Sequence, residues 1–301
     1  MKARYIILIT GMTLIASNAF ADTNESHCQQ YCAEGATCDC TWDASTNTLR
    51  VNSGSFNDYA FNDTTYNINV VGDGISWGQN AFFRSQGTIN YSGSDASFDH
   101  SAFYISKGDI NFSGSDASFG SNAFSKSEGT INYSGSNASF DNVAFYNSKG
   151  TINYSGSDAS FDGSAFHQSQ GDINFSGSDA SFDNYAFDDS TGTINYSGSN
   201  ASFALYAFNG SQGDIILSPE NIKEMGDYRF RDSTSNIYCT AAPSECDAAL
   251  AALGVNKTTL SYSSKLKKDM EANRKDPKRY TPAEAAFVAY DNDNTISFYF
   301  R

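Results

Sequence analysis

The sequence contains few of the residues on which catalysis usually depends. Its 301 residues include only three histidines, His27, His100 and His167. The last two fall at different phases of the repeat described below, so they are not expected to stack into a metal site. No serine belongs to a recognisable nucleophile–base pattern, and no glycine-rich phosphate loop precedes a helix. We therefore expect a protein that is not an enzyme and that needs no cofactor and no metal ion.

Positive charge is also scarce. The chain has 19 lysines and arginines against 34 aspartates and glutamates, which gives a formal net charge of −15. Such an acidic protein repels nucleic acids and anionic membranes, so neither is an expected partner.

Long hydrophobic runs are missing apart from one at the start of the chain. Residues 5–16 are mostly apolar, but this segment is too short to favour a membrane-spanning anchor. Lys2 and Arg4 precede it, and the small-x-small site Ala19-Phe20-Ala21 follows it. This arrangement is typical of a secretory signal peptide, here over residues 1–21. Its removal takes away two positive charges, so the net charge of −15 becomes −17 in the mature chain. The predicted location is outside the cytoplasm: secreted, on the cell surface or in the periplasm.

All six cysteines lie in the mature chain, which predicts disulfides in an exported protein. They are Cys28, Cys32, Cys38, Cys40, Cys239 and Cys246. Alternatively, the first four together bind a metal ion, although an oxidising compartment favours disulfides. The sequence does not determine how these four cysteines pair. Residues 22–44 are predicted to form a cysteine-rich N-terminal cap. A Cys239–Cys246 bond is expected to tie a short helix across the last coil.

What the chain does contain is a repeat. The stretch GTINYSGSDASFDHSAFYISK, residues 87–107, returns in near-identical form every 21 residues, and looser copies flank the array. Atypical terminal copies are expected in a solenoid, where they close the ends of the stack. We assign residues 45–240 to a repeat solenoid and residues 241–301 to a C-terminal cap and tail. The pure units begin at Gly87, Gly108, Gly129, Gly150, Gly171 and Gly192.

Each unit predicts two short strands. In TINYS, Ile89 and Tyr91 alternate with polar residues, which indicates a strand with one buried face. A turn signal follows, and then a second extended piece that ends at Phe98. One unit cannot bury its own apolar residues, but stacked units can, because each residue then lies over its copy. The predicted fold is a leucine-rich-repeat-like β-solenoid of short parallel strands in 21-residue coils, with a small C-terminal α+β appendage.

The pattern I-x-Y/F…F-x-x-x-A-F-x-x-S resembles the BspA-type leucine-rich repeat, also called LRR type 5. In one unit the matching residues are Ile89, Tyr91, Ala96, Phe98, Ala102, Phe103 and Ser106. Aromatic residues replace the family's aliphatic ones, serine replaces its cysteine, and the period is shorter. The resemblance spans about residues 38–239. It implies a secreted or surface-exposed bacterial protein that binds other proteins or host surfaces.

The C-terminal part predicts three further elements. SECDAALAALG indicates a short helix from Ser244 to Gly254. Thr281 and Pro282 are typical of the start of a second helix. NTISFYFR is predicted to close the chain as a strand.

Two surfaces are candidates for binding. The outward column of the first strand is either a solvated asparagine ladder or a docking face. It consists of Asn90, Asn111, Asn132, Asn153, Asn174 and Asn195. The stacked aspartates at the phases of Asp95 and Asp99 are interpreted as turn residues in preference to a calcium site. The units differ mainly around His100 and between Tyr104 and Lys107, and a partner that is recognised specifically is more readily recognised there. The candidate residues in these varied segments are His100, Tyr104, Tyr146, His167 and Tyr185.

The leading functional hypothesis is an exported, non-enzymatic binding or adhesion protein that acts through the solenoid surface. Its partner is then a protein or glycan on another surface, of unknown identity. The alternative is a structural matrix or surface component that self-assembles, since near-identical units favour association. The cysteine-bearing ends argue against open stacking.

Overall fold

The computed structural model describes residues 28–217, 222–233, 235, 237–239, 248, 251, 256–257, 287–291 and 294–300. In these residues the repeats form a parallel β-solenoid, as predicted. Each regular coil has three sides: a three-residue strand, a shorter strand of two or three residues and a turn segment that carries the Ala-Phe pair. A single turn of 3₁₀ helix, Gln29–Tyr31, precedes the first coil.

The longer strands stack into sheet 1. Its fourteen strands lie in the order Asp39–Asp43, Thr48–Ser53, Asn67–Val70, Ile89–Tyr91, Ile110–Phe112, Ile131–Tyr133, Ile152–Tyr154, Ile173–Phe175, Ile194–Tyr196, Ile215–Leu217, Ile237–Cys239, Asn294–Phe300, Phe287–Asp291 and Asn256–Lys257. The repeat strands pair in parallel without any offset, so that Asn132 lies directly beside Asn111.

The shorter strands stack into sheet 2. Its nine strands are Ser55–Phe56, Ser76–Trp77, Ser97–Phe98, Ser118–Phe119, Ser139–Phe140, Ser160–Phe161, Ser181–Phe182, Ala201–Phe203 and Ile222–Met225. The register again advances by one 21-residue unit per coil, as in the pairing of Phe119 with Phe140.

The third side is held by backbone hydrogen bonds between turns. The amide of Phe103 donates to the carbonyl of Ala123 in the next coil across 2.7 Å. On either side of the Ala-Phe pair the backbone is left-handed, at Ser101 (φ 59°) and Ile105 (φ 58°). The side chains next to these bends therefore point outward and form the solenoid's most varied surface.

The core consists of aromatic columns that run along the solenoid axis. Phe98 stacks on Phe119 with ring centroids 4.8 Å apart and planes inclined by 4°. The column through Phe103 has the same arrangement, with 4.9 Å to Phe124. These distances lie within the range that aromatic pairs favour, and every member is buried. Each buried ring contributes about 1.5–3 kcal/mol, so the columns supply most of the stability of the array.

Two glycine columns let the coils approach each other. At Gly114 an added Cβ would collide with the carbonyl oxygen of Gly93, and at Gly129 with that of Gly108. The sequence interpretation treats the column through Gly93 as a turn signal and the column through Gly108 as the first residue of each unit. The structure shows that a side chain there would fill the space taken by the preceding coil's backbone.

A column of buried serines replaces the cysteine of the family pattern. Several of its hydroxyls bond within the column or to nearby carbonyls; Ser127 lies 3.2 Å from Ser148, and Ser190 donates to the carbonyl of Phe187 at 2.8 Å. The hydroxyls of Ser85 and Ser106 are buried without a hydrogen-bond partner. The column consists of Ser85, Ser106, Ser127, Ser148, Ser169, Ser190 and Ser211.

The N-terminal end of the stack is covered. Cys28 is bonded to Cys40 and Cys32 to Cys38, which confirms disulfides rather than a metal knot. The strand Asp39–Asp43 pairs antiparallel with Thr48–Ser53 and ends the parallel run of sheet 1. The amide of Ala33 donates to the carbonyl of Ser55 at 2.8 Å, so the cap also covers the edge of sheet 2.

Toward the C-terminus the coils become irregular. The register of sheet 2 shifts by one residue between Ala201–Phe203 and Ile222–Met225, because this coil is one residue longer than the regular units. The closing strand is confirmed as Asn294–Phe300, which pairs in parallel with Ile237–Cys239. Ala248 and Ala251 are helical, within the helix predicted from Ser244.

Three of the predicted features fall outside the described residues. They are the signal peptide, the Cys239–Cys246 bond and the helix start at Thr281; the next described residues, Phe287–Asp291, form a strand. Among the residues that the structure describes, no helix has the length and apolar character needed to cross a bilayer.

Candidate functional site

The asparagines of sheet 1 are engaged with one another. The side-chain amide of Asn111 donates to Oδ1 of Asn90 at 2.8 Å, and that of Asn132 to Oδ1 of Asn111 at 2.8 Å. The ladder continues through Asn153 and Asn174 and reaches Asn195 with a longer 3.5 Å contact. Each inner member thus uses one donor and one acceptor within the ladder.

A shallow trough of about 410 Å³ runs beside this ladder. It is lined by the asparagine column and the neighbouring serine column, for example Asn132 and Ser134. Its walls repeat from coil to coil, so it offers the same chemistry along its length. A trough of this kind provides little basis for selecting one partner.

The threonine and aspartate residues at the start of these strands have a structural role. The carboxylate of Asp109 accepts the backbone N–H of Thr130 at 2.9 Å, and Asp172 accepts that of Thr193 at 3.0 Å. An aspartate carboxylate in one coil therefore accepts a hydrogen bond from a backbone amide of the next coil.

The aspartate column at the phase of Asp95 has a conformational explanation. Asp95 has φ 57°, Asn137 has φ 56°, and Gly74 occupies the same position with φ 64°. Aspartate, asparagine and glycine tolerate this left-handed backbone better than other residues do. The choice of residue here follows from the turn, and no calcium site is needed to explain it.

We use "the ridge" for the outward residues of the third side, at the positions equivalent to 99–101 and 104–107 in each coil. The sequence candidates on the ridge occupy three separate columns. Tyr146 stacks on His167, with ring centroids 5.6 Å apart. Tyr104 shares their column, two coils before Tyr146. His100 lies in another column, beside the carboxylate of Asp99 at 3.4 Å, so the two histidines do not meet.

Tyr185, in the third column, belongs to a surface stack of three tyrosines, of which the middle one, Tyr206, is half-buried. Its ring lies 4.8 Å from that of Tyr206, and Tyr206 lies 5.1 Å from Tyr228, with planes inclined by 5° and 13°. The exposed fractions of Tyr185 and Tyr228 are 38% and 40%. Leu205, next to Tyr206, is 43% exposed. These residues form an apolar patch on the last coils of the array, which we call the tyrosine patch.

An acidic trough of about 510 Å³ adjoins the tyrosine patch. Leu205 lines both, and the trough also contains Asp162, Asp183 and Glu224. Burial, together with the charges of the stacked Asp141 and Asp183, raises the pKa of Asp162 above its usual range. The carboxylates therefore reinforce one another's negative potential along this side.

Ridge aromatics already accept cations from this chain. The ammonium of Lys126 lies 5.4 Å from the ring centre of Tyr104 and donates to its hydroxyl at 3.0 Å. The guanidinium of Arg231 lies 5.8 Å from the centre of the Tyr206 ring. Cations are attracted to the faces of such rings, so the ridge has the chemistry to hold a basic side chain.

Sequence reasoning selected Tyr185 but missed Tyr206, Tyr228 and Leu205. Tyr206 follows Tyr185 by one full period, so this signal was present. Tyr228 follows Tyr206 by 22 residues because of the extra residue in that coil, and a strict period conceals it.

The model of the family described as BspA type leucine rich repeat region matches the chain in six copies, over residues 38–152 and 159–247. These two ranges make up more than half of the 301 residues. Neither a curated protein nor a solved structure matches the chain significantly.

Proposed function

Because the chain belongs to the BspA-type leucine-rich repeat family, we propose that it is an exported adhesion protein that binds a basic protein segment through its ridge. Family membership indicates a repeat-based protein-interaction or surface protein, whose scaffold is typically non-enzymatic. The site, the partner's chemistry and the export route are our proposals.

The tyrosine patch carries this proposal. Large exposed apolar side chains are few, and three of the four in the described residues, Tyr185, Leu205 and Tyr228, cluster there. Tyrosines are enriched at interfaces, where they bury much area at little entropic cost. The asparagine ladder, by contrast, is constant and self-bonded. The candidates Asn90, Asn111, Asn132, Asn153, Asn174 and Asn195 are therefore weaker binding residues than those of the ridge.

The charge of the patch's surroundings favours a partner with lysine or arginine residues. Asp162, Asp183 and Glu224 lie in the adjoining trough, and the mature chain as a whole is strongly acidic. Arg231 on Tyr206 shows how an arginine packs on this surface. A basic side chain would gain carboxylate pairing and cation–π contact at one place.

Open end-to-end assembly, the alternative, is disfavoured at both ends of sheet 2. The cap segment around Ala33 covers Ser55–Phe56 at one end. At the other end, Lys223 and Glu224 are exposed within the edge strand Ile222–Met225. Charged edge strands are a common protection against unwanted strand pairing.

A random peptide library displayed on phage and panned on the mature chain tests the proposal. The triple variant Tyr185→Asn, Tyr206→Ser, Tyr228→Asn removes the stack. Asparagine and serine already occupy this left-handed column at Asn122 and Ser164, so the fold should persist. Selected peptides should be rich in lysine, arginine and aromatic residues. They should bind the parent chain at least tenfold more tightly than the triple variant.

Asn132→Ala is the matched control, because it alters the ladder and leaves the ridge intact. Selected peptides should bind it as they bind the parent. The proposal would be overturned if the peptides bound the triple variant as tightly as the parent, or if Asn132→Ala lost more binding than the triple variant. It would also be overturned if the parent enriched no peptides and bound only glycans on a glycan panel.

A further inference from the structure

We propose that His167, Asp188 and Asp189 form a binding site for a divalent transition-metal ion, with zinc the best fit. The three possible ligand atoms, one imidazole nitrogen and one oxygen from each carboxylate, lie within 4.8 Å of one another. Zinc takes this mixture of imidazole and carboxylate ligands, whereas calcium requires oxygen ligands throughout. This metal site does not depend on the proposal that the ridge binds a basic protein segment.

The contact between His167 and Asp188 is the central observation. Nδ1 of His167 lies 2.9 Å from Oδ2 of Asp188. Nδ1 is nevertheless buried and has no hydrogen-bond partner, because the carboxylate lies off the direction in which the ring N–H would donate. Two atoms that each bind one zinc ion at about 2.1 Å lie roughly 3–3.5 Å apart. The observed 2.9 Å is an ordinary hydrogen-bond length and falls slightly short of this range. The direction of the contact, rather than its length, leaves Nδ1 available to a shared ion.

The surroundings hold the ligands in place. The side-chain amide of Asn209 donates to Oδ1 of Asp188 at 2.5 Å, which leaves Oδ2 toward the histidine. Tyr146 stacks against the His167 ring at 5.6 Å. The exposed fractions of the His167 and Asp188 side chains are only 25% and 18%. Outer hydrogen bonds of this kind orient metal ligands and raise affinity.

Asp189 reaches the site because of a glycine. The Asp189 backbone is left-handed (φ 53°), and its carboxylate lies over Gly210 in the next coil, where a Cβ would collide with Oδ1. Other coils carry a side chain at the phase of Gly210, for example Lys126 and Gln168. The glycine thus leaves the room that the third ligand occupies.

This cluster departs from the repeat. The residues at the phase of His167 vary from coil to coil, and Phe83 stacks on Tyr104 as Tyr146 stacks on His167. The phase is occupied by Phe83, Tyr104, Ser125, Tyr146, His167, Asp188 and Asn209. In the part of the chain that the structure describes, it is the one cluster of three groups close enough to share an ion. His100, with one carboxylate beside it, has no comparable set.

Calorimetric titration of the full mature chain, without a histidine tag and after chelation, tests the site. Zinc chloride should bind at one ion per chain and raise the melting temperature. Manganese chloride should bind more weakly, as expected from the usual order of divalent metal affinities. Calcium chloride should not saturate over the same range. Absence of a zinc isotherm, or tighter binding of calcium, would overturn the proposal.

Variants drawn from the repeat itself identify the ligands. His167→Tyr introduces the residue found at this phase in Tyr146, and Asp188→Asn keeps the shape of the side chain. Each should weaken zinc binding at least tenfold while the chelated protein melts as the parent does. Asn209→Ala, which removes only the outer hydrogen bond, should weaken zinc binding by about tenfold.

His100→Asn is the control, since Asn142 holds the same phase in another coil, and it should bind zinc like the parent. Nitrogen NMR of the imidazoles supplies a second readout, because zinc should shift the Nδ1 resonance of His167 and not that of His100. If His167→Tyr binds zinc as tightly as the parent, or if His100 shifts instead, the assignment is wrong.

Discussion

The side-chain amide of Asn132 donates to Oδ1 of Asn111 across 2.8 Å, and the two asparagines lie side by side in neighbouring coils. Asn132 in turn accepts from Asn153 at the same distance. Each inner amide keeps one N–H and one oxygen lone pair that the ladder does not use, but the ladder fixes the position of the side chain. We therefore expect the ladder to contribute to the stability of sheet 1.

Removing one member of the ladder should lower stability. Asn132→Ala takes away one donated and one accepted hydrogen bond, so we expect a loss of about 1–2 kcal/mol in the free energy of unfolding. Urea denaturation, monitored by circular dichroism, measures this loss of stability. Ser139→Ala, on the exposed face of sheet 2, is the control. An unchanged unfolding midpoint for Asn132→Ala would show that the ladder contributes nothing.

The glycine columns should tolerate no side chain. Gly114→Ala places a methyl group where the carbonyl of Gly93 lies, and separating the coils should cost at least about 3 kcal/mol or prevent folding. At Gly163 an added Cβ would lie 3.1 Å from the end of the Asn142 side chain and in ordinary contact, at 3.8 Å, with the carbonyl oxygen of Asn184. Gly163→Ala should therefore stay within about 0.5 kcal/mol of the parent. Similar melting temperatures for the two variants would refute the steric explanation.

One core tyrosine should be better replaced by phenylalanine. The hydroxyl of Tyr154 is buried without a hydrogen-bond partner, whereas that of Tyr133 donates to the carbonyl of Gly114 at 3.3 Å. Phe112 and Phe175 show that the column accepts phenylalanine. Tyr154→Phe should stabilise the protein by about 1 kcal/mol, and Tyr133→Phe should be neutral or destabilising. Thermal melting of both variants measures these effects. A higher melting temperature for Tyr133→Phe than for Tyr154→Phe would contradict the structure.

Alkaline pH should unfold the solenoid. Burial raises the pKa of Tyr91 and of Tyr196 to about 12, from 10.0 in the unfolded chain. Since the folded-state pKa is the higher one, the stabilisation is complete below pH 10 and is lost as pH rises toward 12. As pH rises through that window, each of these tyrosines lowers the free energy of unfolding by roughly 1.4 kcal/mol per pH unit.

Denaturant midpoints measured between pH 9 and pH 12 test this, with Tyr91→Phe as the comparison. The variant should lose stability less steeply than the parent. Parallel curves for the two proteins would show that Tyr91 does not contribute to the pH dependence.

The sequence predicts the core well because period and register coincide. Residues 21 apart, such as Phe98 and Phe119, lie over one another, so the period alone identifies the columns. His167 and Asp188 are also 21 apart, and the same rule brings them together. A comparison of His167 with His100, which differ in phase, does not reveal this pair.

Other features could not be obtained from periodicity. The disulfide pairs Cys28–Cys40 and Cys32–Cys38 depend on how the cap folds back, and spacing leaves several pairings open. The steric role of Gly114 depends on the distance between coils. Tyr228 is hidden by the extra residue in its coil, since that residue shifts the phase of all that follows.

The central claim is that the repeated residues build the shape while the tyrosine patch binds. The most direct test measures melting and binding of the selected basic peptides on two altered chains. One lacks residues 129–149, a complete coil distant from the patch; the other is the triple variant at Tyr185, Tyr206 and Tyr228. The shortened chain should melt at a lower temperature and still bind, whereas the triple variant should melt as the parent does and lose binding at least tenfold. Lost binding in the shortened, folded chain, or retained binding in the triple variant, would contradict the claim.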